Sequence, residues 1–125
     1  MKNGVIGVLA GLVLWVAVAT AAGLVLRATW PAYVAAAPMM NFTLAMKVAR
    51  LSIGALATMA MGWVVGVISR SSTSVLVAGV LLLIVFIPQH IALWDKFPVW
   101  YHLTFLLSLV PLAYTGGRIP LLERR

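Results

Sequence analysis

The sequence predicts an all-α membrane protein, an antiparallel bundle of four transmembrane helices. The first observation is composition: 64% of the 125 residues are hydrophobic and only 9% are charged, whereas about a quarter of an average soluble domain is charged. The second is arrangement, because the apolar residues form four long runs between charged or turn-forming residues. So small a soluble domain has too little interior for this much apolar surface, which excludes an ordinary cytosolic enzyme.

The charge-free runs are long enough to cross a bilayer. They contain 23, 19, 24 and 21 residues, and a helix over even the shortest would be about 28 Å long, against a hydrocarbon core of roughly 30 Å. Because a backbone in lipid must satisfy its own hydrogen bonds, we predict helices rather than irregular chain. We expect one domain over 1–125, with helices at 4–26, 43–69, 74–93 and 98–115.

The first run has an alternative interpretation as a secretory signal peptide, since Lys2 precedes it and small residues occur near Ala19. The run continues to Leu26, however, which favours a retained helix. The second helix is expected to be capped by Asn41 or Thr43. Gly116 is expected to end the fourth helix together with the glycine that follows it.

The distribution of basic residues predicts the orientation. With four spans both termini lie on one side, which carries five basic residues, against two on the other side, or four if Lys47 and Arg50 are included. We therefore expect both termini in the cytoplasm. Aromatic residues concentrate on the opposite side, where we expect an interfacial belt, the alternative being a docking surface: Trp30, Tyr33, Phe42, Trp94, Phe97, Trp100 and Tyr101.

Small residues recur at steps of four in the first two spans. Such ridges let helix backbones approach closely, so we expect the first span to pack on the second, or either to pack on its copy in a homo-oligomer. The candidate packing residues are Gly7, Gly11 and Gly23 in the first span, and Gly54, Thr58, Gly62 and Gly66 in the second.

Lys47 and Arg50 share one face of the second helix. Asp95 is the only carboxylate on their side, and it lies beside Lys96. We therefore expect the two cations to bind anionic lipid headgroups, the alternative being that their long side chains simply extend to the interface.

His90 and His102 are the only histidines, and a turn around Lys96 would bring them to similar depth. Their imidazole nitrogens, with Gln89 nearby, are candidate ligands for haem, a transition metal or a quinone. The alternative, which we favour, is that both histidines are interfacial and bond to water, headgroups or backbone. Two histidines are an incomplete zinc set, so no metal site is predicted.

Several chemistries are excluded by absent residue types. The sequence has no cysteine, which excludes disulfide and thiol chemistry, and its two carboxylates are too few for a carboxylate-bridged metal pair. No predicted span contains a carboxylate, so a proton-coupled exporter of the small four-helix kind is rejected. The net charge of +7 is not a sign of nucleic-acid binding, because the basic residues lie at the ends of apolar runs.

The chain resembles small four-helix bacterial inner-membrane proteins. The resemblance rests on the Gly-rich first span, Pro31 and Tyr33 in the connection, the Gly-spaced second span, the Pro98-x-Trp100 opening of the fourth and Gly116-Gly117 after it. It implies a location in the inner membrane and no particular activity.

We expect a non-catalytic structural, accessory or lipid-interacting subunit without a cofactor. Its expected partners are membrane lipids, and a second copy or another membrane protein. The alternatives are a haem-, metal- or quinone-binding redox subunit that uses His90 and His102, and a small oligomeric transporter.

Overall fold

The computed structural model describes residues 2–123, and the side chains of residues 2–122. All regular secondary structure in this part of the chain is helical, and it includes 3-10 turns at Ala37–Met39 and Trp94–Lys96. Arg124 and Arg125, which contribute to the predicted orientation, lie outside the described residues. The helices are α1 (Lys2–Thr29), α2 (Pro31–Ala36), α3 (Leu44–Ser69), α4 (Ser72–Ala92) and α5 (Val99–Glu123).

Four of these helices, α1, α3, α4 and α5, are long and apolar enough to cross a membrane. They correspond to the four predicted spans. The short helix α2 was not predicted; it occupies the Pro-containing connection, where Pro31 stands at its first position. Proline is well suited to that position because its missing N–H would have no helical partner there.

Side-chain caps fix where α3 and α4 begin. The Thr43 hydroxyl accepts a hydrogen bond from the backbone N–H of Met46, at 3.3 Å, and Ser71 accepts one from Ser74, also at 3.3 Å. Thr43 is one of the two caps considered from the sequence. Arg70 ends α3 in the left-handed conformation, with φ of 55°, and thereby turns the chain into α4 within two residues.

The last helix continues past its predicted end at residue 115 and reaches Glu123. Gly116 and Gly117 lie inside α5. They are positions where α5 contacts its neighbours closely, and they do not end the helix. A Cβ added to Gly116 would overlap the backbone carbonyl of Met59, and one added to Gly117 would lie 2.6 Å from the Val75 side chain. The glycines therefore allow α5 to approach α3 and α4 closely.

The central helix is α3, which packs mainly against α1 and α5, while α4 packs on α5. Gly7 and Gly11 lie on the α1–α3 contact. A Cβ on Gly11 would be 2.5 Å from Val65 Cγ2, and one on Gly7 would be 3.4 Å from the Val65 carbonyl oxygen. Gly23 differs from both, since an added Cβ there would meet no atom within 4 Å.

Gly62 and Gly66 face α5, whereas the sequence interpretation placed the ridge of the second span against the first span or against a second copy. A Cβ on Gly62 would overlap the Ala113 carbonyl, and one on Gly66 would be 2.5 Å from the Gly117 carbonyl oxygen. The physical reason is that small residues on α5 offer α3 a second surface for close approach, in addition to the surface of α1.

The other two ridge positions have different neighbours. An added Cβ on Gly54 would lie 2.7 Å from the ring of Phe105 on α5. Thr58 accepts a hydrogen bond from the indole N–H of Trp15 on α1, at 3.0 Å, and donates to the Gly54 carbonyl, at 2.6 Å. The ridge residues of α3 thus divide between two partner helices.

Two apolar clusters form the interior. The larger one lies among the four long helices and contains Val8, Met61, Val65, Val75, Ala78, Leu82, Leu109 and Ala113. The smaller one, which we call the aromatic cluster, contains Tyr33, Phe42, Met46, Phe97 and Tyr101. The aromatic cluster joins α2, the beginning of α3 and the beginning of α5.

Candidate functional site

The aromatic cluster is a stack of rings from segments far apart in sequence. Tyr33 stacks on Phe42 with ring centroids 5.1 Å apart, Phe42 on Phe97 at 5.9 Å, and Phe97 on Tyr101 at 4.3 Å. All four rings are buried. They were expected to form part of an interfacial belt; instead they face one another, because α2 folds over the start of α3.

Trp94 and Trp100 are the exposed members of the expected belt, and Trp30 is half-buried. Trp94 also contacts the interior of the bundle. Its carbonyl and its ring both contact His102, with the rings stacked at 4.6 Å. The expected belt is thus reduced to the tryptophans.

Arg50 lies within the aromatic cluster. Its Nη1 donates to the Tyr33 hydroxyl at 2.8 Å, and its Nε donates to the Tyr101 hydroxyl at 3.2 Å. The guanidinium carbon is 4.8 Å from the Phe42 ring centroid and 5.6 Å from that of Phe97. Two phenols and two aromatic faces therefore hold the guanidinium in place, a geometry that Arg meets better than Lys because its planar group donates in fixed directions and stacks on rings.

The positive charge of Arg50 has no carboxylate partner among the described side chains. Asp95, in the turn before α5, is exposed, and no ion pair is found between it and any cation of residues 2–122. A neutral phenol oxygen accepts a hydrogen bond but does not neutralise the charge. The site is therefore electropositive.

Lys47 and Arg50 have different environments although they share a helix face. Lys47 is half-buried and does not line the cavity described below, whereas Arg50 does. The sequence interpretation treated them as one pair at the surface. The structure places only Arg50 in the interior site, since Tyr33 and Tyr101 hold it there.

His90 and His102 meet inside the bundle. Their Nδ1 atoms are 2.8 Å apart, and His102 Nε2 is 3.2 Å from the Trp94 carbonyl oxygen. His102 is fully buried and His90 is 9% exposed. The hairpin brings them together as interior residues bonded to each other, and His102 also bonds to backbone, which is one of the partners expected from the sequence.

This network determines which ring nitrogens carry hydrogen when both rings are neutral. A carbonyl oxygen only accepts, so His102 Nε2 carries the proton and donates to Trp94. His102 Nδ1 is then an acceptor, and the hydrogen of the 2.8 Å bond belongs to His90 Nδ1. It follows that His90 Nε2 is an acceptor.

His90 Nε2 has no hydrogen-bond partner among residues 2–122, although no side-chain nitrogen or oxygen there is both fully enclosed and unpaired. The atom must therefore have an open surface. His90 lines a cavity, together with Arg50, Tyr33 and Tyr101. The unpaired ring nitrogen thus belongs to a side chain that is 91% buried and lines the same cavity as Arg50.

The cavity has a volume of about 210 Å³. Its polar wall is formed by Tyr33, Arg50, Gln89, His90 and Tyr101, and the remaining wall is apolar or aromatic. A single water needs only about 10–15 Å³ of such space, so the cavity has room for several waters. It is smaller than the roughly 300–1,000 Å³ of pockets for drug-sized ligands, so it suits a small polar group.

The α1 side of the cavity is its least filled part. Gly23, Ala19 and Trp15 line it, and the space beside Gly23 is open. Gly23 was a candidate packing residue, but an added Cβ there would contact no other helix within residues 2–122. The absence of a side chain at Gly23 therefore contributes to the volume of the cavity.

The same geometry bears on cofactor binding. The two Nδ1 atoms bond to each other and one Nε2 bonds to a carbonyl, so His90 Nε2 is the one histidine nitrogen left as a metal or haem ligand while the pair persists. Within the described residues, no group of three or more histidine, aspartate or glutamate side chains could hold a metal ion together. Gln89, the third candidate ligand, lines the cavity and is exposed.

Tyr33 and Tyr101 are the site residues that the sequence interpretation missed as partners of Arg50. Tyr101 was noted only as a residue of the aromatic belt. A deep cation with no carboxylate nearby is the one signal that could have pointed to hydroxyl partners. No family model, curated protein or solved structure matches this chain.

Proposed function

We propose that this protein is an integral membrane protein, an antiparallel four-span bundle of the bacterial inner membrane, that binds the anionic headgroup of a membrane amphiphile in the Arg50 cavity. It acts as a non-catalytic accessory subunit. The single observation that carries the proposal is Arg50: a cation held in the interior by two phenols, without a carboxylate partner among the described side chains, at the wall of a headgroup-sized cavity.

The outer surface of the bundle supports insertion into lipid. Large apolar side chains are exposed on all four long helices, for example Val13 at 70%, Leu56 at 65%, Ile84 at 57% and Leu107 at 71%. Continuous apolar surface of this kind is rare on monomeric soluble proteins. Acyl chains would cover it without the cost of ordering water.

The distribution of basic residues supports an orientation with both termini in the cytoplasm. The cavity, near the α4–α5 turn, then lies towards the extracytoplasmic side. Arg50 is the seventh residue of α3, about 9 Å along the helix from Leu44, so it lies within reach of the headgroup level. A headgroup could enter the cavity while its acyl chains remain among the exposed apolar side chains.

An anionic ligand is favoured because it would neutralise a charge that is costly to bury alone. A guanidinium has five N–H donors, and the two phenols accept from two of them, which leaves three. Phosphate or carboxylate oxygens are suited to these remaining donors. A quinone would use the same donors but is neutral, so it would leave the charge of Arg50 uncompensated.

The test is lipid retention during delipidation, read by native mass spectrometry of the full chain. Arg50→Gln should lower retention of phosphatidylglycerol and cardiolipin at least about tenfold, as expected for loss of a charge-assisted interaction. Lys47→Gln should have a smaller effect, since Lys47 does not line the cavity.

The matched control is Arg27→Gln. Arg27 is exposed in the last turn of α1 and does not line the cavity, yet its replacement removes the same charge from the protein. Retention in Arg27→Gln should equal that of the wild type. Equal losses in Arg27→Gln and Arg50→Gln would show that lipid binds through net charge and not in the cavity.

A further inference from the structure

We infer that the ligand of the Arg50 cavity carries a hydroxyl donor beside its anionic group, and that His90 Nε2 accepts the hydrogen bond from it. This inference rests on the proposed function and specifies the class of ligand. Candidate groups are the P–O–H of a phosphomonoester and the free hydroxyl of a phosphodiester headgroup such as glycerol.

The first argument is the direction of the histidine network. The Trp94 carbonyl fixes the hydrogen of His102 on Nε2, and the 2.8 Å bond then fixes the hydrogen of His90 on Nδ1. His90 therefore presents a lone pair and no N–H at its remaining nitrogen. His102 acts as a positioning residue, because it selects the tautomer of His90 without lining the cavity.

The second argument is that His90 Nε2 lacks a partner within the described residues although its side chain is 91% buried. Because the atom is accessible and not enclosed by protein, its hydrogen bond must come from whatever occupies the cavity, water or ligand. The ring itself is held in place by stacking on Phe105, with centroids 4.8 Å apart. The acceptor is thus fixed in position before any ligand enters.

The third argument is the complementary character of the two polar groups. Arg50 offers only donors, and His90 offers only an acceptor at the cavity, while Tyr101 links them: its hydroxyl bonds Arg50 and its ring stacks on His90 at 6.3 Å between centroids. A ligand with acceptors alone would satisfy Arg50 and leave His90 to water. A ligand with an anionic oxygen and a nearby O–H satisfies both.

The experiment compares four short-chain phospholipids added to the purified full-length protein in detergent, with binding measured by native mass spectrometry. Phosphatidylglycerol and phosphatidylmethanol have the same phosphodiester charge, but only the former has headgroup hydroxyls. Phosphatidic acid carries the hydroxyl on phosphorus, and phosphatidylcholine is the zwitterionic reference. We expect phosphatidylglycerol, phosphatidic acid or both to bind at least about fivefold more tightly than phosphatidylmethanol. This is the difference in affinity that one hydrogen bond contributes.

His90→Phe is the matched variant, because a phenyl ring keeps the stacking on Phe105 and removes the acceptor. It should bind the three anionic lipids within about twofold of one another, while still preferring them to phosphatidylcholine. If His90→Phe does not fold, the comparison of lipids on the wild type is sufficient by itself.

The outcomes separate the two ideas. Equal binding of the three anionic lipids to the wild type, all above phosphatidylcholine, would overturn this inference and leave the proposed function standing. A hydroxyl preference that persists in folded His90→Phe would also overturn it. Failure of every anionic lipid to bind above phosphatidylcholine would instead overturn the proposed function.

Discussion

At the scale of residues, the site depends on hydrogen bonds between side chains that are distant in sequence. Arg50 is 17 residues from Tyr33 and 51 residues from Tyr101. Because hydrogen bonds to a charged group are stronger than those between neutral groups, we expect the two phenols to fix the position of the guanidinium.

Tyr101→Phe should therefore destabilise the protein. It leaves a guanidinium N–H without its acceptor in a half-buried site, which typically costs about 1.5–3 kcal/mol. Tyr114→Phe is the control, because Tyr114 lies on the same helix and its hydroxyl forms no hydrogen bond within residues 2–122. The measurement is thermal unfolding in one detergent. Equal midpoints for the two variants would contradict the assignment of Tyr101.

The histidine pair is open to a double-mutant cycle with His90→Phe, His102→Phe and the double variant. If the 2.8 Å bond exists in solution, the two effects on stability are not additive, and the coupling should be about 0.5–3 kcal/mol. The reason is that either single variant leaves a buried nitrogen unpaired, while the double variant removes both. Additive losses would mean that the imidazoles do not bond to each other.

The sequence predicted which residues were chemically unusual at this scale, but not their partners. Arg50, His90 and His102 were singled out because cations and imidazoles are rare in apolar runs. Tyr33 could not be assigned to Arg50, since nothing local shows that α2 folds over the start of α3. The histidine pairing was within reach, because the hairpin placed both rings at similar depth.

At the scale of helices, glycine has two opposite roles. Gly62 lies where an added Cβ would overlap the backbone of Ala113, whereas Gly23 lies beside open space. The four-residue spacing in the sequence predicted which glycines are contact positions. It did not predict which helix each of them contacts. Gly116 and Gly117 were interpreted as a helix end, because a glycine pair has the same sequence appearance whether it ends a helix or receives another backbone.

Gly62→Ala and Gly23→Ala should change stability in opposite directions. Gly62→Ala forces α3 and α5 apart, which costs about 1–3 kcal/mol as overpacking does. Gly23→Ala meets no atom and removes the poor helix propensity of glycine, a gain of up to about 1 kcal/mol. Thermal unfolding of both variants checks this. A Gly62→Ala protein as stable as the wild type would show that α3 and α5 are not in close contact at this position.

At the scale of the whole molecule, composition and run length predicted the four long helices, because these features depend on bulk apolar content and not on specific contacts. The proposed orientation is testable separately. Alkaline phosphatase, which is active only outside the cytoplasm, should be inactive when fused after Arg125 and active when inserted near Asp95. Activity of the fusion after Arg125 would contradict the orientation.

The central claim is that a headgroup occupies the cavity itself, and Gly23→Leu tests it most directly because it fills the open space while leaving Arg50 and its phenols unchanged. The measurement is the rise in unfolding temperature of the purified protein on addition of short-chain phosphatidylglycerol. A ligand at about 100 times its dissociation constant stabilises the wild type by about 2.7 kcal/mol. We predict that phosphatidylglycerol raises the unfolding temperature of the wild type and does not raise that of Gly23→Leu. Without lipid, Gly23→Leu should be as stable as the wild type. An equal rise in both proteins would contradict the account, since lipid would then bind elsewhere.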